Sequence, residues 1–328
     1  MGRKTPLPPL VRGTSQQGLD VGHGVLTEQV GRAIRAWRGV GVRHNALRAT
    51  ALVVGLSILL IILGWVCGGI TGIKLGIVIV ALVNGLIYLF GDTMALRAMH
   101  ARPVSEIEQP ELYRIVRELA TEARQPMPRL YLSPTKAPNA FTTGWNRRRA
   151  ALCCTTGLLS LLNERELRGV IAHELTHLRK GDTIVGTVAA MLALSITSLT
   201  ALSLLLPLAD SDDEDGHDLL QGLLFLVVGP IAAAVIRAAV GRAQEYAADE
   251  AAARLTGDPI GLANALHRIE VVSRVHPLPV HRGLLTSAHL MVAHPFAGQR
   301  EGRIFAVHPP TRERIRRLHA LAQRWNCE

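Results

Sequence analysis

Two histidines four residues apart, with a glutamate between them, are the residues of this sequence whose types and spacing most directly imply chemistry. In His173-Glu174-Leu175-Thr176-His177 helical spacing puts both imidazoles on one face, where a single metal ion can bind them. Glu174 projects beside them and is placed to hold a water. Zinc accepts two imidazoles and a carboxylate and keeps a fourth position open for that water. The carboxylate has to come from elsewhere in the chain. Glu245-Tyr246-Ala247-Ala248-Asp249 offers two acids four apart, again on one helical face. One of them can ligate while the other reaches the outer nitrogen of a ligand histidine. Both side chains point the same way, so spacing alone does not choose between them, and two acids on a solvated face is the competing reading.

The elements that must position these groups have local signatures. Asn163 stands as N-cap with Glu166 at the third helical position, Leu167, Val170, Ile171, Leu175 and Leu178 form an apolar stripe, and Gly181 stops the helix. Upstream, Arg129 to Leu132, Asn139 to Thr143 and Arg149 to Thr155 are short, rich in strand formers and separated by turn residues, so they predict a small β-meander. Downstream, His308 precedes a proline-initiated helix expected from Pro309 to about Ala322. His276, His281, His289 and His294 lack paired helical spacing and read as loop residues.

The chain has 328 residues, 48% hydrophobic and 19% charged, with a mean hydropathy of +0.24, a composition that excludes disorder and points to a membrane. Its net charge of +10 comes with only 4% aromatic residues, too few stacking platforms for a nucleic-acid reader. The positive charge is instead segregated: residues 1–50 hold eight Lys and Arg against two acids, while Asp210, Asp212, Asp213, Glu214, Asp215 and Asp218 crowd one loop without a base. Four apolar runs, 51–70, 73–91, 184–208 and 219–240, are each long enough to cross a hydrocarbon core of about 30 Å. The basic flanks then place both termini and the segment between the second and third runs in the cytoplasm. The predicted organisation is a cytoplasmic tail at 1–48, a transmembrane hairpin at 49–91, a cytoplasmic region with the His-Glu helix at 92–183, a third span at 184–208, an acidic external loop at 209–218, a fourth span at 219–241 and a cytoplasmic region at 242–328. Cys67, Cys153, Cys154 and Cys327 are too few and too irregular for a disulfide framework or a Cys-x-x-Cys site and imply reduced thiols.

From about Arg43 to Leu318 the chain resembles the HtpX-type membrane zinc metalloproteases, gluzincins related to the CAAX prenyl endopeptidases. The likeness rests on the paired span hairpin, Pro138-Asn139-Ala140-Phe141 through Gly144, Leu162-Asn163 leading into the His-Glu helix, and Gly181-Asp182 after it. Glu245-Tyr246 with Ala248-Asp249 and His308-Pro309-Pro310 with Glu313-Arg314-Ile315 complete it. Gln244 and His294 depart from the family, which often carries Arg and Asn there. The resemblance implies that His173, His177 and Glu245 bind one zinc per chain, that Glu174 is the general base, and that Asp249 orients a ligand histidine. It also implies that His308 and Arg314 lie near the oxyanion, and that Asn139, Ala140 and Phe141 on an edge strand bind substrate backbone.

The fold class so implied is a mainly α integral membrane protein: four transmembrane helices and a cytoplasmic gluzincin-like zinc protease domain of helices plus a small β-meander. Expected partners are the lipid bilayer and membrane-protein or peptide substrates, in a bacterial inner membrane, and the expected activity is hydrolysis of misfolded or damaged membrane proteins. Prenyl-protein processing remains an alternative. Two others fit less well: a site-two-type intramembrane protease would not bracket its motif with Arg179, Lys180 and Asp182, and a structural-zinc scaffold needs a fourth protein ligand.

Overall fold

The computed structural model describes residues 93–144, 149–189, 241–278, 290–292 and 308–327, and residues 45–90 in part. After a short helix α1 (Met94–Ala98), a four-stranded sheet is interleaved with helices: β1 (Arg102–Pro103), α2 (Pro110–Glu122), β2 (Arg129–Ser133), β3 (Ala140–Thr143) and β4 (Ala151–Thr155). Helices α3 (Thr156–Leu161), α4 (Glu164–Lys180), α5 (Arg242–Thr256), α6 (Pro259–Val275) and α7 (Thr311–Cys327) follow.

The sheet is not a meander. Its order is β1-β2-β4-β3, with β4 inserted between β2, which it pairs in parallel from Arg129↔Ala151 to Ser133↔Thr155, and β3, which it meets antiparallel from Ala140↔Cys154 to Thr143↔Ala151. The strands lie close to where local propensity puts them, but pairing is a long-range choice that propensity does not encode. Both faces are covered, and strand alternation sorts the side chains. Leu130, Leu132, Ala140, Leu152 and Cys154 join the main core with α2, α4, α5, α6 and α7, whereas Tyr131, Phe141, Ala151 and Cys153 pack on α1 and Met291. Cys153 and Cys154 are free thiols facing opposite ways, and burial pushes Cys154 up to about 12.

Helix α4 is the axis of this core, in contact with α2, α5, α6 and β3. Its ends follow the expected signals. Asn163 accepts from the Glu166 N–H and Glu166 accepts from the Asn163 N–H, closing a capping box, and Gly181 at φ 75° takes the left-handed C-cap. Gly169 lets α6 approach: a Cβ there would stand 3.0 Å from the Leu262 Cα. The core residues Ile115, Val170, Ile171 and Leu266 are fully buried, each worth about 1.5–3 kcal/mol of transfer free energy. Helix α7 starts two residues later than expected and runs on to Cys327. Pro309 and Pro310 lie outside it, and Gln323 to Asn326 contain no glycine or proline to stop it.

Among the described residues no helix is long and apolar enough to cross a membrane. Residues 47–58 and 69–85 are helical and present Val54, Ile58, Ile70, Leu75, Val78 and Leu82 to the outside. Residues 182–189 are helical as well, and Val185, Val188 and Ala189 pack against Ala49 with Leu52, Val53 and Leu56 beside them. The tail up to residue 44, most of the third run, the acidic loop and the fourth run lie outside the described residues.

Candidate metal centre and active site

Helix α4 carries His173 and His177 one turn apart, their rings edge to face with centroids 4.7 Å apart and their Nε2 atoms 3.1 Å apart. Each outer nitrogen meets a carboxylate: His173 Nδ1 lies 3.0 Å from Asp249 Oδ1, and His177 Nδ1 lies 3.0 Å from Asp182 Oδ2. A carboxylate accepts only, so Nδ1 carries the proton on each neutral ring and both Nε2 lone pairs turn inward. Glu245 arrives from α5 at the same point, with Oε2 3.8 Å from His173 Nε2 and Oε1 3.4 Å from His177 Nε2. Donor atoms of these three residues lie within 4.8 Å of one another. Two imidazole Nε2 atoms and one carboxylate converging on a point are a donor set suited to zinc, which takes the place of any proton held there.

The geometry separates the two acids that spacing left equivalent. Glu245 faces the inner nitrogens, while Asp249 sits on the outer side of His173 and is gripped by Arg314, whose Nε donates to Oδ2 at 2.8 Å and Nη2 to Oδ1 at 2.7 Å. Glu174, next to His173, is 1% exposed and accepts from the Thr142 hydroxyl at 3.0 Å. That contact follows from sheet register, because Thr142 shares the α4-facing side of β3 with Ala140. A cavity of about 30 Å³ lies among Thr142, His173, Glu174, His177, Glu245 and His308, room for an ion with water.

Burial dominates the electrostatics. It raises Glu174 to about 7, against the pull of His177 and the Thr142 hydrogen bond. Burial also lowers His173, with Arg314 adding to it and Asp249 opposing. For His177 the carboxylates of Asp182 and Glu245 overcome burial and raise the imidazole to about 9. Glu245 is held well below the carboxylate range, because His308, His177 and Arg314 outweigh its desolvation.

The other expected site residues divide. His308 borders the cavity, with Nδ1 3.1 Å from Glu245 Oε2 but off the hydrogen-bonding direction, so both ring nitrogens and that oxygen are buried without a hydrogen-bond partner. Arg314 does not border it. Its guanidinium is buried, engaged with Asp249, and donates from Nη1 to the Val292 carbonyl at 2.8 Å, while Nη1 also lies 3.6 Å from Glu245 Oε2. Asn139, Ala140 and Phe141 also do not offer a free backbone edge. Asn139 exchanges bonds with Thr155 through its N–H and carbonyl, the Ala140 N–H goes to Asn139 Oδ1, and the Ala140 carbonyl accepts from the Val292 N–H at 2.9 Å. Met291 bridges Phe141 antiparallel. Residues 290–292, between histidines that read as loop, fold back along β3 and occupy that edge. Sequence reasoning also missed Thr142 and the role of Asp182. The signal for Asp182 was its place just past Gly181, whose left-handed cap turns the chain back toward the last helical turn.

Comparison with known proteins decides the family. Residues 106–322 match peptidase family M48. The chain belongs to that family. Among its relatives are proteins named protease HtpX homolog from Kineococcus radiotolerans, 48% identical over 85% of this chain and 97% of the relative, and from Pseudarthrobacter chlorophenolicus, 44% identical over 86% and 98%. A third, from Bifidobacterium longum, is 40% identical over 86% and 94%. This M48 peptidase is an HtpX-type metalloendopeptidase, and its His173, His177 and Glu245 cluster is the candidate metal site that such a hydrolase requires. Gln244, one of its departures, lies in the first turn of α5 and accepts the Gly241 N–H at 3.0 Å, a capping contact that touches no donor atom of the cluster.

Proposed function

We propose that this M48 peptidase is a zinc-dependent membrane endopeptidase that cuts misfolded or damaged membrane proteins at the cytoplasmic face of a bacterial inner membrane. The observation that carries the reading is the convergence of two imidazole Nε2 atoms and one Glu245 carboxylate beside a buried glutamate that does not share in the cluster. Zinc, bound by His173, His177 and Glu245, would lower the pKa of a water and polarise the scissile carbonyl. Glu174, raised to about 7, is matched to taking a proton from that water and returning it to the leaving amine near neutral pH. Thr142 holds one oxygen of Glu174 and leaves the other for the water. His308, with unpartnered nitrogens at the cavity, is placed to donate to the developing oxyanion. Residues 290–292 hold the near edge of β3, so an extended substrate has either to displace them or to lie along their outer side.

The membrane reading is supported by the apolar side chains exposed on residues 54–82, which water would penalise and lipid would not. It is supported also by the four apolar runs and the segregation of basic residues. His177 lies seven residues before the third run and Glu245 five after the fourth, a spacing that supports a site near the membrane surface on the basic side.

The test is metal analysis of the purified full chain together with cleavage of casein or a model membrane substrate, with and without chelator. About one zinc per chain and chelator-sensitive cleavage are expected. Glu174→Gln should keep the metal and lose about 10²- to 10⁴-fold in kcat; full activity in that variant would end the reading. Labelling of a cysteine placed at Asp213 from outside intact cells is expected, and labelling only after permeabilisation would reverse the topology.

A further inference from the structure

The first apolar helix reaches the metal centre through one polar side chain. Asn45 is 5% exposed, and its Nδ2 donates to Asp182 Oδ1 at 2.6 Å and to the Lys180 carbonyl at 3.2 Å. Both partners are acceptors, which fixes the carboxamide orientation. Asp182 thereby divides its two oxygens: Oδ1 is held by Asn45, and Oδ2 faces His177 Nδ1 at 3.0 Å. The Lys180 carbonyl belongs to the last turn of α4, where helix carbonyls have no partner of their own. A second observation brings the same surfaces together independently. Ala49, one turn after Asn45, is buried with Val185, Val188 and Ala189, flanked by Leu52, Val53 and Leu56.

We propose that Asn45 is a positioning residue of the metal centre: through Asp182 it fixes the ring orientation of His177, so that the membrane-proximal N-terminal helix forms part of the zinc site. This rests on the reading of His177 as a ligand. A neutral donor is what the position needs. An alanine leaves Asp182 Oδ1 unpaired and the carboxylate free to turn away from His177, and an aspartate sets a like charge against it.

The test uses the full chain in detergent and follows zinc release to a chelator alongside kcat and KM. Loss of an outer-shell partner typically costs ten- to a hundredfold, and Asn45 stands one contact further out, so Asn45→Ala should release zinc about three- to tenfold faster. Its kcat should fall in proportion with KM unchanged, and Asn45→Asp should exceed it. Leu52→Ala, which thins the same packing without touching Asp182, should release zinc at the parent rate. In an Asp182→Asn background, Asn45→Ala should add little, because the two act in series. Equal zinc release from Asn45→Ala and Leu52→Ala, or an undiminished Asn45→Ala effect without the Asp182 carboxylate, would overturn the proposal. His177→Ala separates the two levels: if it binds zinc as the parent does, the ligand assignment itself has failed.

Discussion

His173 and His177 sit one turn apart on α4, yet different parts of the chain support them. The outer nitrogen of His173 meets Asp249, which is clamped by Arg314 from α7 inside the core. The outer nitrogen of His177 meets Asp182, which is held by Asn45 at the foot of the apolar hairpin, and the ring is 14% exposed. The ionisation follows the support. His173 is lowered, because burial and the Arg314 cation outweigh Asp249, whereas His177 is raised to about 9, because carboxylates surround it with no facing guanidinium. One helical motif thus joins a half charge-balanced by a guanidinium inside the core to a half whose carboxylate is held from the N-terminal apolar helix.

The sharpest way to break this contrast is Arg314→Met. It leaves the Asp249 carboxylate, 5% exposed, without its cation, and loss of one partner of a buried pair costs about 3–5 kcal/mol. A large fall in denaturant midpoint is expected in the zinc-free protein; a small one would mean that the His173 half is not held by this clamp.

On the other half, Asp182→Asn should weaken zinc about ten- to a hundredfold by loosening His177. Competition with a fluorescent chelator measures this. Zinc affinity unchanged in that variant would place the ligand role of His177 in question.

A smaller effect distinguishes the two rings by pH. With His177 protonated up to about 9 in the metal-free protein, zinc has to displace that proton, so apparent affinity should fall as pH falls, by about tenfold per unit between pH 9 and 7. His173, lowered by burial, is already neutral there and contributes no such slope. Calorimetry in buffers of different ionisation enthalpy should find close to one proton released at pH 7.5, and none from the ligands would contradict the raised His177.

The helix that carries the motif was legible because its determinants are local. Asn163, Glu166 and Gly181 fix the ends of α4 through contacts within a turn, and the structure places them as their types predict. Strand positions were legible for the same reason, since aromatic residues, threonines and the flanking turn residues mark them, but their order was not. The insertion of β4 between β2 and β3 and the return of residues 290–292 along β3 depend on pairings between distant segments. That return is why Asn139, Ala140 and Phe141, correctly placed on a strand, do not present a free edge. Arg314 was singled out by its place in the sequence, but its burial against Asp249 is a tertiary contact that spacing does not express.

The sequence by itself determined how the candidate groups are set out: a four-residue spacing on a helix fixes that His173 and His177 share a face and that Glu174 stands beside them, whatever surrounds the helix. Spacing left Glu245 and Asp249 equivalent, and the tertiary structure separates them as the family resemblance implied. The two lie on the same face of α5, and what separates them is the crossing of α5 over α4, which brings the first to the inner nitrogens and the second to the outer one. It decided likewise that Thr142, Asp182 and Asn45 attend the site, because each gets there by register, a cap or a helix contact that spacing along the chain does not express.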